Sequence, residues 1–93
     1  MPMLLWGLAL GPAAAAFLDD MPPGKIRAQI VKKYKTLQAN PYPAGCKKLV
    51  GVKEGEEDVW RIRSGDYRIL YIVRNSPQEV IVIDIGHRKD VYR

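Results

Sequence analysis

The segment RIRSGDYR, residues 61–68, contains three arginines in eight positions. Gly65 and Asp66 at its centre are typical of a two-residue hairpin turn, because glycine readily adopts the positive φ that such a turn requires. Pairing outward from the turn places Arg63 opposite Arg68. Guanidinium groups stay charged and bind phosphate oxygens through two parallel hydrogen bonds, so arginines gathered in this way indicate chemistry on a phosphate.

Strand alternation predicts which side chains of this hairpin share a face. Successive side chains point to opposite faces of a strand, and the turn pairs Trp60 with Tyr71 and Ile62 with Ile69. One face then carries Trp60, Ile62, Ile69, Tyr71 and Val73, and the other carries Arg61, Arg63 and Arg68. The first face is predicted to be core, and the second, which we call the arginine face, is predicted to be a surface.

The arginine face has two interpretations. Like charges directly opposite each other destabilise a sheet, on the scale of about 0.2–1 kcal/mol per pair, so something should offset their repulsion. The first interpretation is a solvated face with Asp66, Glu79 or Asp84 nearby. The second is a binding site for an anion such as a nucleic-acid phosphate, because guanidinium groups bind phosphates and also stack on bases.

The composition indicates a small basic domain. The 93 residues are predicted to form one domain, residues 1–93, which buries about 60–65% of its unfolded surface. Fifteen Lys and Arg against ten Asp and Glu give a net charge of +5 and a pI near 9.5, which favours a polyanionic partner. Cys46 is the single cysteine, so no internal disulfide is possible and a reducing, cytoplasmic compartment is expected.

The apolar N-terminus is interpreted as structure rather than as a secretory signal, because no Lys or Arg precedes Lys25. Residues 3–10 favour a central strand, although periodicity alone does not exclude a helix there. Pro12 fits the first position of a helix. Helices are predicted at 13–20 and, with a basic outer face, at 24–39, and strands are predicted at 59–64, 67–74 and 80–86.

The order of these elements predicts an α+β fold. We expect a small, mostly antiparallel four-stranded sheet with two N-terminal helices on one face, in the order β-α-α-β-β-β. The polar segment GVKEGEED, residues 51–58, is predicted to be a mobile connection.

Alternation can be carried into the last strand, where three isoleucines are predicted to face the helices: Ile81, Ile83 and Ile85. The arginine face then also receives Val82, Asp84, Gly86 and Arg88. Glycine-rich phosphate loops and metal-ligand clusters are absent from the sequence, so no metal and no other cofactor is expected.

Two segments carry a resemblance to a known family. WRIRSGDYRILY, residues 60–71, and IGHRKDVYR, residues 85–93, resemble the RelE/ParE superfamily of toxins from prokaryotic type II toxin–antitoxin systems, and the RelE branch most closely. The resemblance covers nearly the whole chain. It implies a RelE-like fold, a cognate antitoxin protein as partner, and neither a membrane nor a small-molecule cofactor.

For RelE-type members, the resemblance implies a ribosome-dependent endoribonuclease that cuts messenger RNA in the ribosomal A site without a metal. The 2′-hydroxyl attacks the adjacent phosphate and leaves a 2′,3′-cyclic phosphate and a free 5′-hydroxyl. The catalytic residues that it implies are Arg61, Arg63, Arg68, Arg88 and Tyr92. Tyr92 would stack on a base or move a proton.

The general base is not settled by this resemblance. Arg61 and Arg63 stand where a well-studied RelE-type site has lysines, and arginine is effectively never deprotonated. The candidates for the proton acceptor are therefore Tyr92 and His87, the one histidine. Alternation, however, sends His87 to the face opposite Arg88 unless the chain bends after Gly86.

Two other functions are compatible with the same sequence, because a fold does not determine an activity. One is a ParE-like inhibitor of DNA gyrase, which acts on a protein and cuts no RNA. The other is a catalytically inactive relative that binds RNA or an antitoxin.

Overall fold

The computed structural model describes residues 5–87 and shows an α+β fold, as predicted. Its elements are β1 (Gly7–Leu10), α1 (Pro12–Asp20), α2 (Lys25–Lys35), a 3₁₀ turn (Thr36–Gln38), β2 (Lys47–Glu54), β3 (Glu57–Ser64), β4 (Tyr67–Asn75) and β5 (Gln78–His87). The sheet has the order β1-β5-β4-β3-β2. Only the β1–β5 pair is parallel, so the sheet is mostly antiparallel, but it has five strands rather than the predicted four.

The additional strand is β2, and part of it was predicted to be a mobile connection. It lies at the edge of the sheet and pairs with β3, from Lys47 opposite Arg61 to Glu54 opposite Glu57. An irregularity interrupts the pairing between Lys48 and Lys53. Nearly every residue of this edge strand is exposed, so its sequence lacks the apolar alternation that identifies a strand.

The first strand also lies at an edge, whereas the sequence favoured a central strand. β1 pairs with β5 alone, and its continuation is fixed by the Gly11 amide, which donates a 2.7 Å hydrogen bond to the Val82 carbonyl. Pro12 then opens α1, as predicted, because proline has no N–H to lose at the first turn. Only Gly11 therefore separates the edge strand β1 from α1.

Both helices pack on one face of the sheet, α1 over β5 and α2 over β3. Buried helix residues recur at a spacing of four, with Ala14 and Leu18 on α1 and Ile30 and Tyr34 on α2. The sheet contributes the buried residues Ile62, Ile69, Tyr71, Val73, Val80, Val82 and Ile85. Arg27 Nε joins the two helices by donating a 3.1 Å hydrogen bond to the Leu18 carbonyl.

The hairpin of β3 and β4 has the predicted register. Arg63 lies opposite Arg68 and Trp60 lies opposite Tyr71. Gly65 supplies the turn with a φ of +58°. The predicted core residues of the hairpin belong to the helix-facing core, and Trp60 packs against it partly buried.

The prediction for β5 is wrong over its first half. A β-bulge lies between the pairs Leu70–Asp84 and Tyr71–Val82, so Ile83 is an extra residue with no opposite partner. The bulge reverses alternation: Val82 belongs to the helix-facing core, whereas Ile81 and Ile83 pack on the other face. From Asp84 onward the predicted faces hold, with Ile85 in the helix-facing core.

The face without helices has a smaller apolar cluster of its own. Its buried members are Val59, Leu70 and Ile72, and Leu49, Ile81 and Ile83 pack around them. Within residues 5–87, no helix is long and apolar enough to cross a bilayer.

Candidate nucleic-acid interface

The structure places Arg61, Arg63 and Arg68 on the face of the sheet that carries no helix. Arg63 and Arg68 are cross-strand partners, and Arg61 shares its face with Leu70 in the next pair. Arg68 is also opposite Gly86 on β5, which adds no side chain to this face. The arginine face is thus the end of the sheet nearest the hairpin turn, beside the small apolar cluster.

The arginine face is not a simple solvated surface. Arg63 is exposed and Arg68 half-buried, whereas Arg61 retains only 7% of its accessible surface. No ion pair within residues 5–87 joins Asp66, Glu79 or Asp84 to Arg61 or Arg63. The first interpretation therefore does not hold for Arg61, which is buried, whereas the exposure of Arg63 is compatible with it.

Arg61 is the buried cation of this region. Its Nε is buried, and no residue of the described chain accepts a hydrogen bond from it. Burial of an N–H donor without an acceptor costs about 1–3 kcal/mol, because the lost hydration is not replaced. The fold therefore presents a guanidinium with an unsatisfied Nε at a defined position.

Arg61 and Arg63 also line an open cavity of about 360 Å³ that contains two lysines, Lys33 and Lys47. The cavity lies where β2 pairing stops: Lys47 opposite Arg61 is the last pair, so residues 62–64 of β3 have no β2 partner. The loop residues Ala44 and Gly45 complete its wall together with Ile62. Four cations from three elements thus surround one space.

Sequence reasoning did not find Lys33 and Lys47. Lys33 adjoins Tyr34, which is buried, and it stands three residues after buried Ile30, so it is at the margin of the packed face of α2. It reaches the cavity only because α2 packs over β3. Lys47 could have been found only by recognising β2 as a strand and fixing its register against Arg61.

A tyrosine anchor fixes the loop that leads to Lys47. The hydroxyl of buried Tyr71 donates a 2.7 Å hydrogen bond to the Pro41 carbonyl. Tyr42 packs edge-on against Trp60, with 4.9 Å between ring centroids. Burial, with a smaller contribution from Cys46, raises the pKa of Tyr71 far above its ordinary value. These contacts hold the start of the loop whose later residues, Ala44 and Gly45, form one wall of the cavity.

Tyr71→Phe should lower the free energy of unfolding by about 1–2 kcal/mol, because the Pro41 carbonyl loses its donor inside the protein. The variant should also be less sensitive to alkaline pH. An unfolded tyrosine ionises near pH 10, whereas Tyr71 stays protonated in the folded state, so its contribution is complete below pH 10 and declines above it. Urea unfolding between pH 8 and 11 measures both effects, and an unchanged alkaline slope would contradict the second.

His87 lies on the helix-facing side of the sheet, as alternation predicted. Its ring packs edge-on against Tyr67, with centroids 5.7 Å apart, and Tyr67 packs in the same way against Phe17. These rings border a separate cavity of about 580 Å³, which Asp20 and Asp84 also line. The structure therefore does not bring His87 into the group of three arginines.

Two candidate catalytic residues, Arg88 and Tyr92, lie outside the described residues. Within the described residues, no three His, Cys, Asp or Glu side chains are grouped so that they could hold a metal ion. Among the described candidates, the structure thus brings together Arg61, Arg63 and Arg68, and it adds Lys33 and Lys47 beside them.

Comparison with solved structures identifies the class of fold. The chain is similar to one in the archaeal RelE–RelB complex of Pyrococcus horikoshii, with a TM-score of 0.72, 21% identity, and coverage of 92% of this chain and 98% of that one. It is also similar to one in the RelBE2 toxin–antitoxin complex of Mycobacterium tuberculosis, with a TM-score of 0.73, 26% identity, and coverage of 96% and 98%. A third match, in the intact Escherichia coli RelBE complex, has a TM-score of 0.69, 27% identity, and coverage of 88% and 95%. The fold is that of RelE-like toxins.

Comparison of sequences identifies the family. The model for ParE toxins of type II toxin–antitoxin systems matches residues 8–92. A Methanocaldococcus jannaschii protein named as a RelE1 toxin is 30% identical over 78 residues, which are 82% of this chain and 82% of that protein. The chain belongs to this family of type II toxins, within the RelE/ParE superfamily that its motifs indicated.

Proposed function

We propose that this toxin is a metal-independent endoribonuclease that cuts messenger RNA on the ribosome and so inhibits translation. The observation that carries the proposal is the basic region around Arg61, where Arg63, Arg68, Lys33 and Lys47 surround a buried guanidinium. In the described chain no acidic side chain pairs with Arg61 or Arg63. A phosphate group supplies the negative charge and the acceptor oxygens that this region lacks.

The reaction that fits this region is an in-line attack of the 2′-hydroxyl on its own 3′-phosphate. A bond forms between the 2′-oxygen and phosphorus, and the bond from phosphorus to the 5′-oxygen breaks. The 2′ proton passes to a base, and the leaving 5′-oxygen takes up a proton. Arg61, Arg63 and Arg68 would stabilise the extra negative charge on the pentacoordinate phosphorus, which is typically the largest electrostatic contribution to such a reaction.

The proton acceptor in this proposal is Tyr92. Arginine cannot serve, because it stays protonated. His87 faces the helices and packs against Tyr67, on the side of the sheet away from Arg61 and Arg63. Tyr92 is the remaining candidate from the family resemblance, and its role is the part of the mechanism that rests on sequence alone.

A cognate antitoxin is the second partner that we propose, besides the ribosome with its message. Solved RelE–RelB complexes, to which this chain is similar, pair a toxin with an antitoxin. The net charge of +5 favours association with an acidic segment, because complementary charge accelerates the encounter. Such a segment would inhibit the toxin by covering the arginine face.

The test is a cell-free translation reaction with purified protein, followed by primer extension on the message. We expect cuts within the translated region that are absent when the same RNA is incubated without ribosomes. The products should end in a 2′,3′-cyclic phosphate, and chelation of metal ions should leave the cuts unchanged.

Because the matching family model is that of ParE toxins, the second candidate function is the ParE-like alternative that the sequence resemblance raised, inhibition of DNA gyrase. A supercoiling assay with purified gyrase distinguishes the two functions. Inhibition of gyrase together with an uncut message would replace the ribonuclease proposal, whereas an intact message with active gyrase would indicate a binding protein without catalysis.

A further inference from the structure

The cavity beside Arg61 contains two lysines in addition to arginines of the proposed cleavage site. Arg61 and Arg63 are already assigned to the phosphate that is cut, yet Lys33 and Lys47 line the same space of about 360 Å³. Lys33 comes from the last turn of α2 and is half-buried, and Lys47 begins β2 opposite Arg61. Their convergence depends on tertiary packing, since 14 positions separate them in the sequence.

Lys47 differs from two later lysines of β2 in having no acidic partner within the described residues. Lys53 and Lys48, further along β2, lie 2.6 and 4.0 Å from the carboxylate of Asp58. No described Asp or Glu lines the cavity, and the buried Nε of Arg61 finds no acceptor within residues 5–87. Within the part of the chain that the structure describes, these four cations share one concave space without a counter-ion, and an external anion would supply the missing negative charge.

We infer that the Lys33 and Lys47 side of this cavity is a second phosphate subsite, which holds a backbone phosphate of the RNA strand next to the phosphate that is cut. Lys33 and Lys47 are its substrate-positioning residues. The inference rests on the proposed ribonuclease function, which it extends from one phosphate to two.

The geometry favours an RNA strand over an acidic peptide. The cavity is continuous with the arginine face, because Arg63 lines the cavity and is also the cross-strand partner of Arg68. A strand that enters at Lys33 and Lys47 therefore reaches Arg63 and Arg68 without crossing an acidic side chain of the cavity wall. The regularly spaced phosphates of an RNA strand fit such a continuous row of cations. Each guanidinium group can also donate two parallel hydrogen bonds to the oxygens of one phosphate.

The test compares two double variants with the same loss of charge. Lys33→Gln/Lys47→Gln removes the cavity lysines, and Lys32→Gln/Lys35→Gln removes two exposed lysines of α2 that do not line the cavity. The probe is a single-stranded RNA with 2′-O-methyl groups, which binds but cannot be cut. Fluorescence anisotropy over a range of salt concentrations gives the affinity and its salt dependence.

We expect the cavity variant to bind about tenfold or more weakly, with the slope of log affinity against log salt reduced by about 0.7, the value for one lost phosphate contact. The control variant should change by less than half as much. Equal changes in both variants would overturn the inference, because net charge alone would explain them. It is also overturned if a polyglutamate peptide binds as tightly and with the same dependence on Lys33 and Lys47.

Cleavage kinetics on ribosomes separate this inference from the function on which it rests. The cavity variant should raise KM for the programmed ribosome about tenfold and leave kcat nearly unchanged, as a lost binding contact does. Wild-type cleavage with an unchanged KM in the cavity variant would overturn the subsite alone. If the wild type makes no cuts at all, the ribonuclease proposal fails first.

Discussion

Replacement of Arg61 by methionine should stabilise the folded toxin and remove its RNA cleavage at the same time. Arg61 is buried, and no described residue accepts a hydrogen bond from its Nε. Methionine fills a similar volume without a charge, so the free energy of unfolding should rise by about 1–3 kcal/mol. Loss of one preorganised group that stabilises the developing charge should lower kcat/KM by about 10²–10³-fold.

Thermal unfolding and ribosome-dependent cleavage, measured on the same preparation, test both halves of this expectation. Arg74→Met is the matched control, since Arg74 is an exposed arginine at the far end of β4. It should change neither the melting temperature nor cleavage appreciably. A lower melting temperature for Arg61→Met would contradict our account, because it would show that the buried guanidinium is compensated in the fold.

Arg68→Ala should abolish toxicity without unfolding the protein. Arg68 lies opposite Arg63, so its truncation relieves the repulsion between two like charges. In the proposed reaction it stabilises the negative charge on phosphorus, and cleavage should therefore fall by about 10²-fold or more. Cells that express the variant should keep growing after induction, whereas cells that express the wild type should stop.

The control for growth is Arg74→Ala, which removes the same charge from the same strand and should remain toxic. Circular dichroism of purified Arg68→Ala should match that of the wild type. Normal toxicity of Arg68→Ala would rule out the arginine face as the catalytic site. Arg88→Ala, the companion substitution outside the described residues, should behave as Arg68→Ala does if both belong to one site.

The hairpin is the part of the fold that the sequence predicted well. A Gly-Asp turn determines which residues are opposite each other, and strict alternation then assigns every side chain to a face. Because both rules are local, they gave the register from Arg63–Arg68 to Trp60–Tyr71 correctly. The grouping of Arg61, Arg63 and Arg68 followed from the same two rules.

What the sequence did not predict depends on interactions between distant segments. The bulge at Ile83 inserts an unpaired residue into an apolar run. Every residue of that run could be buried on either face of the sheet, so the sequence does not show where the alternation changes. β2 is an exposed edge strand that buries neither face fully, so its residues do not alternate between apolar and polar. Lys33 and Lys47 meet through the packing of α2 on β3 and the register of β2. None of these features has a local signal.

The bulge at Ile83 has a consequence for changes in chain length. Removal of Ile83 would leave Val82 opposite Tyr71 and Asp84 opposite Leu70, which is an ordinary ladder. Residues 80–83 are all apolar, so the loss of a different one could be absorbed by re-pairing its neighbours. One-residue deletions should therefore be tolerated in this run during evolution. Deletion of Asp84 or Gly86 would instead move an apolar side chain into the position opposite Leu70 or Arg68. The arginine face would then lose a carboxylate or a glycine and gain an apolar residue.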